Sequence, residues 1–532
     1  MIFTLKDACK RVHWSPFLIA IVAAAVMLIS GTGRATAIET PVAALATFNS
    51  ATDVPITGDG YTVTGPPISI TLNFTPAAGT ILTVVNNTGL DFIQGTFSNL
   101  PHGSIVNLSF GGTMYPFVVN YYGGTGNDLV LQWAGSVAVA WGYNDHGQLG
   151  NNSTVSSAVP VIVDRSGVLL GKTILSVVAG SGHNLALCSD GTVASWGYNV
   201  YGELGNNTLT DSAVPVRVDQ SGVLRGKTVV ALAAGQYFSV ALCSDGTLAA
   251  WGTGAYLGAG LKSAATAPVL VDRSGVLASK KVVALAAGLD HTLALCSDGT
   301  VVGWGANSNA QLGTGSIVYS AMGPVAVDRS GVFSNRKVIK ISAGQYHSLA
   351  LCSDGTLVAW GFNFYGSLGT AGGSNASPAV VNTGAMAGKT VVDMAANGAH
   401  SLAQCSDGTL LSWGYNEYGQ IGIGSRGFTS VPVAVIASGA LSGKTVTGLS
   451  GGAAHSLALC SDGTVASWGF NRYGGLGNNN MVDTYAPVAV VKSSLGAGAR
   501  FMTATGGSIA LHSVGLVGQP LGVLAPVPVE VA

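Results

Sequence analysis

Five histidines recur in one slot of a 532-residue chain: His183, His291, His347, His400 and His455. Histidine is the residue type for zinc binding and proton transfer. Equivalent slots of successive units radiate from an axis, whereas a zinc shell gathers its nitrogens at about 2 Å from one ion. No Cys or carboxylate converges with them at short spacing. The pattern predicts no metal, and imidazoles hydrogen-bonded to backbone where units meet, with Phe238 and Gly507 in the slot elsewhere. Cys188, Cys243, Cys296, Cys352, Cys405 and Cys460 recur every 53–56 residues in one local sequence. Neighbours one whole unit apart do not meet the roughly 7 Å limit for a bridge, so they are predicted to be small buried hydrophobes.

Other candidate motifs have plain readings. Gly123–Leu131 matches one calcium-binding nonapeptide of the β-roll type, but such sites need stacked copies and there is one. A Gly-rich hairpin with Asp128 in its turn is expected. The pairs Gly171-Lys172, Gly226-Lys227, Gly388-Lys389 and Gly443-Lys444 lack phosphate-loop spacing and read as exposed turns entering a strand. There is no His-Glu-x-x-His and no distinctive carboxylate pair. No catalytic residue and no cofactor are assigned, and the expectation is a protein that is not an enzyme.

Composition agrees with a packed, uncharged scaffold. Gly numbers 76, charged residues are 9% and hydrophobic residues 48%, which excludes intrinsic disorder. Lys+Arg 23 against Asp+Glu 24 gives net −1, with no basic excess to grip nucleic acid.

The elements come from a repeat. Trp-Gly occurs at Trp141, Trp196, Trp251, Trp304, Trp360, Trp413 and Trp468, with gaps of 55, 55, 53, 56, 53 and 55. Before all but the first lies Leu-Ala-Leu-Cys-Ser-Asp-Gly-Thr or a close variant, as at Leu185 to Thr192. Asp-Gly between two short apolar strands predicts a tight type I′ hairpin. Gly- and Asn-rich stretches make longer connections, and long 3.6-residue periodicity is lacking, so almost no helix is expected. Four short strands in about 54 residues describe a propeller blade. The Trp is expected to pack between blades.

The partial units imply ring closure. Val137–Trp141 has no strand before it, and Ser508–Ser513 has no Trp-Gly after it. The two complete one blade if the ring closes, making residues 137–513 a seven-bladed propeller. An open solenoid would need caps at both ends.

Residues 451–477 read Ala-Gly-x-x-His-Ser-Leu-Ala-Leu-Cys-Ser-Asp-Gly-Thr-Val-x-x-Trp-Gly-x-Asn-x-Tyr-Gly-x-Leu-Gly almost whole. This resembles the regulator-of-chromosome-condensation repeat, and the likeness covers most of the chain. It implies the same seven-bladed propeller. The Asp-x-Ser-Gly-Val-Leu-x-Gly-Lys stretches (164–172, 219–227) are similar to an exported bacterial branch. The founding member exchanges nucleotide on a small GTPase through a wedge added to one blade. Blades here differ in length by only three residues, so that activity is not expected.

Flanking segments complete an all-β architecture. Residues 1–37 read as a signal peptide, with Lys6, Lys10 and Arg11 before an apolar run (17–30) and cleavage after Ala37. The alternative is an uncleaved membrane anchor. Residues 38–136 are expected to form a small β-rich domain, a sandwich or β-roll, resembling closing segments of bacterial surface proteins. Residues 514–532 form a Pro-bearing tail. The expected localisation is secreted, periplasmic or cell-surface.

One position after each Trp-Gly varies freely: Asp145, Val200, Asn309, Phe364, Glu417 and Arg472. Free variation beside a constant frame predicts exposure, and loops on a rigid scaffold carry function. These six are the candidate binding residues, with Phe428 and Tyr485 in longer connections. The expectation is a monomeric, non-catalytic scaffold at the cell envelope for an unidentified protein or polysaccharide. The alternatives are a structural or inhibitory envelope protein, and, further off, a propeller enzyme.

Overall fold

The computed structural model describes residues 44–491, apart from 66, 78 and 135–137, together with 516–518. The signal segment, the 508–513 strand and nearly all of the tail lie outside the described residues. The fold is all-β, a seven-bladed propeller preceded by a small β domain. The described helices are three single 3-10 turns, at Gly254–Tyr256, Gly384–Met386 and Gly439–Leu441.

Each unit is a four-stranded antiparallel meander in chain order. The first complete one is Ile174–Ala179, His183–Cys188, Val193–Gly197 and Ser212–Arg217. Among the described residues there are six such sheets. In these six sheets the second strand is buried at every residue and the third at every residue but Ala306, because neighbouring blades cover both sheet faces. That is why they read as continuous apolar runs instead of alternating ones.

The hairpins differ from expectation. Gly191 takes φ +81°, but Asp190 keeps an ordinary φ. Its Oδ1 instead accepts the Thr192 amide at 3.0 Å, and Gly191 N donates to Cys188 O at 2.9 Å. This is a type I turn closed by one left-handed glycine, not a type I′ turn. On the turn's flank, Lys172 pairs with Asp190, and Lys227, Lys280, Arg336, Lys389 and Lys444 pair with Asp245, Asp298, Asp354, Asp407 and Asp462 in turn. The Gly-Lys pairs are turns, as expected, and their lysines brace the hairpins.

Blades are joined by a repeated clasp. Trp196 Nε1 donates to Gln148 O and Trp468 Nε1 to Gln420 O, both at 2.9 Å. Six of the seven Trp make this bond to the preceding blade. A glycine two residues past each acceptor lets the chain lie on the indole. At Gly422, φ is +71° and a Cβ would stand 2.8 Å from Trp468 Nε1. Trp304 is the exception, and its Nε1 finds no partner. The loop after Trp251 is two residues shorter, so Leu257 follows Trp251 by six positions where Leu149 follows Trp141 by eight.

The histidines form a second clasp. His183 Nε2 bonds Ser239 Oγ at 2.8 Å, and Ser239 Oγ donates to Glu203 O at 2.9 Å. His291, His347 and His400 repeat this with Ser348, Ser401 and Ser456. The partner is therefore a serine of the next blade, and the backbone carbonyl lies one bond further on. Because the serine's single proton is directed to the carbonyl, the imidazole of His183 donates from Nε2. Its Nδ1, like that of His291, is buried without a partner.

The ring closes. Trp141 Nε1 donates to Gly475 O at 2.9 Å, and Val139 and Trp141 share a core with Leu457, Leu459, Val465 and Val490. The strands Val139–Gly142 and Ser157–Ile162 form the outer part of the seventh blade. On the other edge of Val139–Gly142 lies Leu516–Gly518, paired in parallel.

The amino-terminal domain holds a five-stranded mixed sheet and a parallel pair, Ala44–Phe48 with Ile68–Leu72, over one core. The 123–131 segment is a tight hairpin. Asp128 Oδ1 accepts Asn87 N at 2.7 Å and Oδ2 accepts Thr125 N at 2.8 Å. The domain sits on the Asp-Gly face of the ring. Asp91 pairs with Lys281 at 2.9 Å, Tyr122 bonds Ser244, and Gly103 lies against Ser189 O.

Candidate binding face

The opposite face is built by the loops after Trp-Gly. In each of six blades an Asn three residues past the Trp is buried and staples the loop. Asn144 Oδ1 accepts Leu149 N at 2.7 Å while its Nδ2 donates to Ser153 O and Val155 O. Asn199, Asn307, Asn363, Asn416 and Asn471 have the equivalent bonds. A rigid loop thereby presents the very next residue outward.

The candidate residues fall mostly where free variation placed them. Asp145, Val200, Phe364, Glu417 and Arg472 are exposed, Phe364 at 70%. Asn309 is a correction. It is half-buried, with its amide donating to Gln311 Oε1 at 2.9 Å. The slot next to the staple Asn307 is Ser308, which is exposed. Counting from Asn307 instead of from the Gln-Leu-Gly that follows would have found it. Phe428 is exposed, and Tyr485 is held by Arg426 through its hydroxyl at 2.6 Å.

The constant aromatics around these positions are what sequence reasoning missed. Rings two and five residues past the Trp pass from blade to blade as a belt. Tyr365 meets Tyr415 at 4.7 Å between centroids, Tyr418 meets Phe470 at 4.8 Å, and Tyr473 meets Tyr143 at 5.1 Å. Beyond Tyr143, His146 contacts Tyr198 at 4.8 Å, and Tyr201 contacts Tyr237 at 4.9 Å. Such edge and offset contacts suit the ring quadrupoles. The variable residues decorate the belt: Phe364 lies on Phe362 and Tyr365, Arg472 lies over Phe470 at 5.7 Å, and Tyr143 donates to Asp145 at 2.8 Å. The outer loops add exposed Val155, Leu209, Tyr319 and Val482.

The belt is interrupted where Thr253, Ala306 and Asn309 replace aromatics. Asp290 occupies this stretch, near Tyr237, Tyr256 and Tyr346. Burial pushes its carboxyl up to about 6. Nearby, burial raises the Glu203 carboxyl to about 7. Its Oε2 accepts Tyr201 N at 2.9 Å, as the Oε1 of Gln148, Gln311 and Gln420 accepts the matching amide in other blades. Among the described residues no three His, Cys, Asp or Glu side chains are grouped to hold a metal ion. No described helix is long and apolar enough to cross a membrane.

This ring of Trp-clasped meanders with its loop-built face defines a β-propeller of one particular kind. The RCC1-like domain model matches residues 136–511, and the chain belongs to that family. Among relatives, it is 31% identical to the ultraviolet-B receptor UVR8 of Arabidopsis thaliana over 60% of this chain and 70% of the receptor. It is 33% identical to the human E3 ubiquitin-protein ligase HERC2 over 60% of this chain, but spans only 6% of the ligase. The structure of Prp20p from Saccharomyces cerevisiae aligns at a TM-score of 0.59 and 26% identity, over 68% of this chain and 87% of that one.

Proposed function

We propose that the chain is an exported, non-catalytic scaffold at the cell envelope that holds a protein or polysaccharide partner on its aromatic face. The observation that carries this reading is the belt of rings passing from blade to blade on stapled loops. Aromatic and Arg side chains dominate binding energetics, and contiguous exposed apolar surface on a soluble fold marks an interaction site. The amino-terminal domain sits on part of the other face, against Ser189, Ser244 and Lys281, and away from the belt. Prp20p, of similar fold, is described together with its binding to Gsp1p and histones, and a binding role for this chain accords with that. Export rests on the basic and apolar pattern of residues 1–37.

Fractionation of the native host tests the location, and recovery in the cytoplasm overturns it. Affinity electrophoresis against envelope polysaccharides, and crosslinking to envelope proteins, then give the partner. Phe364→Ala and Arg472→Ala are expected to weaken that complex by about 1–2 kcal/mol each and to move folding stability by less than about 0.5 kcal/mol. Undiminished binding by both variants refutes the aromatic face. A turnover that depends on Asp290 refutes the non-catalytic reading.

A further inference from the structure

Where the amino-terminal domain meets the ring, it partly roofs the mouth of the central channel over a cavity of about 610 Å³ that stays open to solvent on one side. The floor is made by the starts of the inner strands, which the repeat allows to be compared slot by slot. The third residue of the inner strand is Ser176, Ala231, Ala284 and Gly448 in four blades, each registered against a leucine of the second strand. In two adjacent blades the slot holds Lys340 and Asp393, and the residue registered against Asp393 is Gln404 in place of leucine. All three departures line the one cavity.

The fold does not require them, since four blades are built without them. An ion pair whose side chains are largely buried is weak support for stability, because desolvation offsets its attraction. Lys340 and Asp393 are paired with side chains 23% and 13% exposed. Asp393 Oδ1 also accepts Met394 N at 2.7 Å, while among the described residues no hydrogen bond uses Oδ2. Gln404 Nε2 donates to Val446 O at 2.8 Å, and among the described residues its Oε1 has no hydrogen bond. The roof adds the amide of Asn86 and the Thr88 hydroxyl, set on a loop fixed by Asn87 Nδ2 to Asp91 O at 2.7 Å and Asn127 Nδ2 to Gly89 O at 2.6 Å. Between these polar groups the walls are aliphatic, from Val283, Ile339, Leu351 and Val392.

We infer that this cavity is a binding site for a small neutral polyhydroxylated molecule, a sugar of one or two rings. The volume lies in the range of small-molecule pockets, roughly 300–1,000 Å³. Lys340 and Asp393 offset each other, so an ionic ligand would meet no unpaired countercharge, and burying it would be costly. Hydroxyl groups can use the spare carboxylate and amide atoms without breaking the pair, and the C–H faces of a sugar suit the aliphatic walls. The site is separate from the aromatic face and does not depend on its role.

The test uses the whole chain, with glucose, N-acetylglucosamine, maltose and sucrose at millimolar concentration as probes, and glycine and glutamate as charged comparisons. Saturation-transfer NMR and the shift in melting temperature report binding. At least one neutral sugar is expected to bind saturably. The variant Lys340→Ala/Asp393→Ala/Gln404→Leu puts residues into these slots that other blades already carry. It is expected to fold and to bind that sugar about tenfold or more weakly. Gln404→Leu alone, which keeps the ion pair, serves if the triple variant does not fold, and is expected to weaken binding several-fold. Absence of sugar binding to the parent chain, undiminished binding by these variants, or binding of the charged probes alone overturns the proposal.

Discussion

Acidification is expected to unfold this protein, and the magnitude follows from where its histidines sit. An exposed histidine titrates near 6.5. Burial holds His183, His291 and His347 at about 3, and His455 at about 4. His400 is held at about 3 and His102, in the amino-terminal domain, at about 4. Below pH 6.5 the unfolded chain takes up protons that the folded chain refuses. Stability is therefore full above that point and falls as pH drops toward the folded values. Between about pH 7.5 and 5.5 each histidine removes about 1.4 kcal/mol, and six together about 8. Two carboxyls act in the opposite sense. Glu203 and Asp290, raised to about 7 and about 6, are unfavourable when ionised, and acid relieves roughly 3 kcal/mol of that. The net expected loss is about 5 kcal/mol, comparable with the whole stability of many domains, which is roughly 5–15 kcal/mol. Urea unfolding followed by tryptophan fluorescence at the two pH values measures it. His347→Phe, which installs the residue that Phe238 provides in the same slot, should shrink the dependence by about 1.4 kcal/mol. A change below about 1 kcal/mol between the two pH values, or a gain in acid, refutes the reasoning.

Three further outcomes are expected. Trp360→Phe breaks the bond to Gln311 O, at 2.9 Å, and should cost about 1–2 kcal/mol more in urea unfolding than Trp304→Phe, whose Nε1 has no partner to lose; equal costs would remove the clasp as an explanation. Glu203→Gln, which copies the residue at this slot in three other blades, should stabilise the fold at about pH 7.5 by about 1–3 kcal/mol and lose that advantage toward pH 5, as read by melting temperature at each pH. The blade cysteines are buried as thiols, with Cys188 and Cys243 pushed up to about 12 and Cys296 and Cys352 to about 11; a thiol reagent at neutral pH should leave all six unreacted in the folded chain and find all six in denaturant, and fewer would mean bridges.

The repeat made most of the architecture legible, because one blade is written many times and chance variation averages out. The Trp-Gly phase located every third strand, and the unmatched Val137–Trp141 strand pointed to closure. The structure carries that closure through Trp141 and Gly475. The type I′ turn was misread because Asp-Gly is ambiguous by itself, and the Asp190 bond to Thr192 N decides the backbone. At the binding face, variability found Phe364 and Arg472 but hid the exposed Tyr201 and Tyr473, since constancy was equated with packing. A ring can be constant and still stand at the surface. Lys340, Asp393 and Gln404 were equally visible as departures from the consensus. Their meaning required knowing that the amino-terminal domain partly roofs that mouth of the channel, which no single-chain pattern encodes.

The orphaned indole of Trp304 gives a nearly symmetric ring a direction. Were every joint alike, thermal opening would begin anywhere, including at the Trp141–Gly475 seam, where parting the blades frees distant stretches of chain from each other. With one joint lacking its bond, the ring should part first between the blades of Trp251 and Trp304. There the covalent chain runs straight across, from Leu270 to Val282. Such a gap swings on a short tether, and closing a short loop costs little entropy. The weakest joint is thus also the one that rejoins fastest, so strain is released as a hinge that springs shut and not as an unravelling.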